Sequence, residues 1–114
     1  MRFEDRGKLL RIVVDENTRF EGMLLYEAIV EACRSAGISG ASVYRGILGY
    51  GADQMIHSQR VLRLSADLPV TIEIVDSPEN IEIVLPMLDT MIEDGLVTIE
   101  NVQVIRYSNE QEDV

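Results

Sequence analysis

A single cysteine, Cys33, cannot build a disulfide framework, which fits a reducing compartment. A single histidine, His57, leaves no zinc site within one chain, because such sites take three or four ligands. The single lysine, Lys8, stands apart from the glycine-rich stretch, so the phosphate loop G-x-x-x-x-G-K-[ST] is excluded; the Rossmann G-x-G-x-x-G is missing as well. No run of about 18 apolar residues exists, so no membrane-spanning helix is expected. The opening MRFEDRGKLLR is charged and lacks the apolar core of a secretory signal. The expectation is a cytoplasmic protein with no direct membrane insertion.

Basic residues are scarce too. Ten stand against 20 acidic ones, for a net charge of −10, which disfavours nucleic acid and anionic membrane surfaces as partners. The imbalance is uneven. Between Ala32 and Ala66, Arg34, Arg45, Arg60 and Arg63 stand against Asp53 alone, so that segment is net +3 and the remainder about −13. A local positive field in an acidic protein suits a small anion better than a polyanion. The carboxylates scatter along helix surfaces and strand ends, and Ser42, Ser58 and Ser65 lack a nucleophile's setting. Neither enzymatic chemistry nor a resident cofactor or metal is expected.

What remains suits one domain, with 46% hydrophobic residues and a polar, acidic tail over residues 108–114. KLLRIVVDE (Lys8 to Glu16) reads as a strand, with Leu10, Ile12 and Val14 on one face and Leu9, Arg11 and Val13 on the other. LLYEAIVEACRSAG (Leu24 to Gly37) reads as a helix whose apolar stripe is Leu25, Ala28, Ile29, Ala32, Cys33 and Ala36, with Gly37 as its left-handed stop. Cys33 on that stripe is a small core residue. ASVYRGILGYG (Ala41 to Gly51) is a second strand, followed by a loop to about Gln59; RVLRL (Arg60 to Leu64) reads as its returning arm. LPVTIEIVDS (Leu68 to Ser77) is the third main strand. Ser77 to Gly95 is a second helix, capped by Ser77 with Pro78 in its first turn; Pro86 inside it predicts a kink or a restart. LVTIENVQVIRY (Leu96 to Tyr107) is the last strand.

That order is βαββαβ, the ferredoxin-like pattern of the α+β class: an antiparallel four-stranded sheet, two helices on one face, and an extended loop after the second strand. The opposite face carries Leu9, Val13 and Val75 beside Arg11, Thr71 and Glu73. Branched apolar residues on an open sheet face suggest a partner surface, and Arg11 and Glu73 are placed to pair across neighbouring strands.

The second strand ends in Gly46, Gly49 and Gly51. One reading makes these a bulge and a turn. A second lets a ligand reach the backbone N–H groups, with Arg45, Arg60, Arg63 or His57 adding charge for an anion. A third makes Ala52 to Gln59 an element that docks on another protein.

GKLLRIVVDE, GASVYRGILGYG, LPVTIEIVDS and DGLVTIENVQV, in that order, resemble the PII-like proteins grouped as domain of unknown function 190, over about Gly7 to Tyr107. That group is similar in fold to the PII nitrogen-signalling proteins. The resemblance implies a single domain over 7–107, a homotrimer, an adenine nucleotide or other small anionic ligand in a cleft between subunits, and a regulated protein partner. It also implies that Ser42 lies near a base, that Gly49-Tyr50-Gly51 roots a responsive loop of Ala52 to Arg60, and that Gln54 lies just inside that loop. Where PII carries a lysine- and glycine-rich phosphate loop, this chain reads Glu93-Asp94-Gly95-Leu96. The resemblance therefore implies a less charged ligand, or phosphates reached by Arg45, Arg60, Arg63 or Arg106. The alternative is a structural or interaction trimer with no small-molecule site. A hydrolase of the acylphosphatase kind is disfavoured by the acids of Asp15-Glu16-Asn17-Thr18-Arg19 after the first strand.

Overall fold

The computed structural model describes residues 1–50, 56–58 and 68–109. The elements run β1 (Arg2–Asp15), β2 (Arg19–Phe20), β3 (Met23–Leu24), α1 (Leu25–Ser35), β4 (Ser42–Arg45), β5 (Leu48–Tyr50), β6 (Ile56–Ser58), β7 (Pro69–Asp76), α2 (Pro78–Met91) and β8 (Leu96–Tyr107). The main sheet has the order β4-β7-β1-β8, every pair antiparallel. Two small ribbons, β2-β3 and β5-β6, stand outside it.

Alternation of apolar residues decides which side of the sheet is covered. Leu10, Ile12 and Val14 of β1 and Val70, Ile72 and Ile74 of β7 are all at most 3% exposed. They close a core with Leu25, Ile29 and Cys33 of α1 and Ile81, Val84 and Leu88 of α2, so both helices lie on one face. The Cys33 thiol is pushed up by burial, which leaves it inert as a nucleophile. Gly37, at φ 88°, follows α1 in the left-handed conformation expected of a helix stop. Ser77 caps α2, its Oγ accepting from the Asn80 N–H at 3.2 Å.

Several boundaries differ from the sequence expectation. β1 starts at Arg2, because residues 2–7 pair with 102–107 of β8. The expected second strand is two: β4 stops at Arg45 and β5 resumes at Leu48. The arm that returns against β5 is β6, within the span expected as a free loop, because Leu48, Gly49 and Tyr50 pair with Ser58, His57 and Ile56. Arg60–Leu64 lie outside the described residues. The second helix does not restart at Pro86; α2 is one element. Pro86 is exposed while Val84 and Leu88 are buried on either side, so the Glu82 carbonyl that loses its N–H partner faces water.

Asp76, at the end of β7, ties the layers together. Its Oδ2 accepts from the Ser39 N–H at 3.1 Å, and its Oδ1 from the Ser77 N–H at 2.7 Å and Asn80 Nδ2 at 2.9 Å. Burial works against its charge, but these hydrogen bonds outweigh it and hold the carboxyl below the usual range. A carboxyl so depressed adds stability above the unfolded value, about pH 4, and loses it as pH falls through the lower folded value. Asp76→Asn should therefore lower the melting temperature at pH 7, at a cost on the order of 1 kcal/mol, with the difference gone in strong acid. Thermal melts of both proteins from neutral pH down to about pH 2 read this directly.

Candidate functional site

The glycine-broken strand end is built on β7. β4 pairs with β7 from Ser42↔Glu73 to Arg45↔Val70, and the ladder closes when the Gly46 N–H donates to the Pro69 carbonyl at 2.7 Å. A Cβ on Gly46 would lie 2.7 Å from Pro69 Cγ and 3.2 Å from its carbonyl oxygen. What approaches the backbone at Gly46 is thus Pro69. The chain leaves the main sheet there, and β5 pairs only with β6, Gly49 standing opposite His57.

Arg45 reaches back to the chain that follows β1. Its Nε donates to Glu16 Oε2 and its Nη2 to Glu16 Oε1 at 3.1 Å, a two-pronged pair. Glu16 is the sheltered member, its side chain 15% exposed against 50% for Arg45. The Arg45 guanidinium holds the Glu16 carboxyl below the usual carboxylate range. An anion approaching Arg45 must compete with that carboxylate.

The Glu93–Leu96 turn comes to the same end of the sheet. A Cβ on Gly95 would fall 2.9 Å from the Val13 carbonyl oxygen and 3.2 Å from Val14 Cγ1, so the turn lies flush on the end of β1. Asp15, Glu16, Glu93 and Asp94 share this end with Arg45, making it an acidic setting with one strongly held cation.

The other expected site residues fall in different places. Ser42 is exposed and shares the outer face with Glu73, whereas Arg45, three residues on, points to the helix side. Arg106 lies at the far end of β8, opposite Phe3, with its guanidinium 4.7 Å from the ring centroid. Ser42 is level with Arg11, so about 26 Å of ladder separates it from Arg106. Within one chain, then, Ser42, Arg45 and Arg106 do not converge. Gly51, Gln54, Arg60 and Arg63 lie outside the described residues, as does the side chain of His57.

On the outer face, Arg11 is held twice: Nε to Glu73 at 2.8 Å and Nη1 to Glu100 at 2.6 Å. These hydrogen bonds raise the Arg11 pKa. Glu73 was legible from strand alternation; Glu100 follows only from the β1-β8 register, which places it beside Leu9. Glu16 as the partner of Arg45 carries no sequence signal, since 29 residues separate them. Among the described residues, no group of three or more His, Cys, Asp or Glu could hold a metal ion, and no helix is long and apolar enough to cross a membrane.

Known proteins share both the sequence and the fold. Residues 7–104 match the family DUF190, described as "Uncharacterized ACR, COG1993". A UPF0166 protein of Methanocaldococcus jannaschii is 43% identical over 102 residues, which is 89% of this chain and 94% of that protein. Among solved structures, CPII of Thiomonas intermedia K12, bound to ADP and bicarbonate, superposes with a TM-score of 0.67 at 17% identity, covering 90% of this chain and 91% of that one. A PII-like signaling protein from Thermus thermophilus gives 0.61 at 20% identity, covering 89% and 90%. The fold is PII-like, and the chain belongs to the DUF190 family.

Proposed function

We propose that this chain is a PII-like regulatory trimer that senses a small anionic molecule, an adenine nucleotide in the first instance, between its subunits. The observation that carries this reading is the outer face of the sheet. Val75, Tyr44 and Leu96 are 42%, 55% and 59% exposed there, Leu9 and Val13 are half-buried, and the Arg11–Glu73–Glu100 network lies among them. A monomer gains nothing from an apolar face around a pre-organised ion cluster; a neighbouring copy would bury both. The dispersal of Ser42, Arg45 and Arg106 supports the second half of the reading, because a site using all three needs more than one copy. The ADP and bicarbonate bound by the Thiomonas protein suggest the ligand class. The β5-β6 ribbon and residues 52–60 are the elements we expect to respond, by a ligand-dependent shift of population.

Thermal shift tests the ligand. A compound that binds only the native state at a hundred times its Kd adds about 2.7 kcal/mol. AMP, ADP or ATP, with and without bicarbonate, should raise the melting temperature. Arg45→Ala should reduce the shift, and Glu16→Gln, which releases Arg45, should enlarge it. Absence of a shift with adenine and guanine nucleotides and cyclic dinucleotides would sink the nucleotide reading. A second reading, an interaction trimer without a small-molecule site, is favoured by one observation: Arg45 is already held by Glu16. It expects a protein partner that survives dialysis and is indifferent to Arg45→Ala.

A further inference from the structure

β1 and β8 run on together beyond the rest of the sheet. The last β1-β7 pair is Lys8↔Asp76, yet the β1-β8 ladder continues to Arg2↔Tyr107. Residues 2–7 and 102–107 thus form a two-stranded arm projecting about 20 Å. An isolated two-stranded ribbon is marginal in water. This one also leaves Ile105 and Tyr107 43% and 74% exposed, with Phe3, Val102 and Val104 half-buried. Its charge is opposite to that of the body. Arg2, Arg6, Lys8 and Arg106 stand against Glu4 and Asp5 over residues 1–8 and 101–108, a net +2, which leaves −12 for everything else.

We propose that this arm is an assembly clasp, seated on a second copy of the same chain. Two arguments choose that occupant. Copies that each carry −10 repel on approach, and the arm is the surface whose contact with an acidic body is attractive. Its outer side, bearing Phe3, Val102 and Val104, continues the face of Leu9 and Val13, so one apolar strip runs from the sheet onto the arm. The clasp rests on the reading that copies of this chain assemble, and not on any ligand.

The test is the triple variant Arg2→Glu, Arg6→Glu, Lys8→Glu in the full chain, whose changed side chains lie on the side of the arm away from the apolar strip. Sedimentation velocity over a range of concentrations should show the half-assembly concentration raised at least tenfold, with circular dichroism unchanged. A second variant, Tyr107→Ser, removes exposed apolar surface without touching charge and should weaken assembly in the same direction. If the wild type is a trimer and both variants assemble within twofold of it, the clasp is wrong while the trimer stands. If the wild type is a monomer at every concentration, the assembly reading falls and the clasp with it. Capture of the arm by an unrelated acidic protein, with self-assembly unaffected by the variants, also overturns it.

Discussion

Arg11→Met should dissociate the assembly and leave the monomer folded. In a free chain the Arg11 pairs are half-exposed, with Glu73 at 32% and Glu100 at 56%, and pairs of that kind contribute about 0–1 kcal/mol. Covered by a neighbour, the same two carboxylates would lose both their cation and their water. Breaking a buried pair by removing one partner costs about 3–5 kcal/mol. Each 1.4 kcal/mol is tenfold in association, so about a hundredfold weakening or more is expected. Sedimentation equilibrium on Arg11→Met reads the mass, and a thermal melt confirms that the chain still folds. The triple variant Arg11→Met, Glu73→Gln, Glu100→Gln should regain much of the association, since it leaves no uncompensated charge. A single variant that stays assembled at wild-type affinity would show that the outer face is not the interface.

Ile72→Ala should cost the chain about 2–5 kcal/mol of stability, a large part of the 5–15 kcal/mol typical of a domain. Ile72 is fully buried in β7, paired with Ile12 on one side and Val43 on the other, in the core that α1 and α2 cover. Removing three carbons leaves a cavity between strands that cannot collapse without shifting two ladders. Urea titration followed by circular dichroism should show a lower midpoint with an unchanged slope. Ile83→Ala on α2 is the control: Ile83 is 53% exposed, so a change within about 0.5 kcal/mol is expected. Equal losses at the two positions would mean that the buried layer described here is not the stabilising core.

The contrast between those isoleucines also shows what the sequence made legible. Period-two alternation placed Ile72 inward and Glu73 outward correctly, and β8 runs from Leu96 to Tyr107 as expected. Apolar spacing located both helices, and Ser77 with Pro78 marked the start of α2. What failed to show was whatever depends on a distant partner. The first residues of β1, Arg2 to Gly7, are too charged to read as strand and become one only through β8. The split between β4 and β5 reflects Pro69 lying against Gly46, and no local pattern announces it. The short β2-β3 hairpin, only two residues a side, is below what periodicity can register. At the candidate site, the glycines and arginines were visible as composition. The carboxylate that occupies Arg45, and the separation of Ser42 from Arg106, are matters of register and face.

The long β1-β8 ladder also fixes an order of events during synthesis. Arg2 pairs with Tyr107 and Val13 with Leu96, so nearly the whole chain lies between the two sides of that ladder. A nascent chain can pack β1 against β7 and the two helices once Met91 has emerged, but β1 keeps one bare edge until Leu96–Tyr107 has left the ribosome. Through that interval the centre of the finished sheet is its margin, available to any strand nearby, including one from a neighbouring nascent copy.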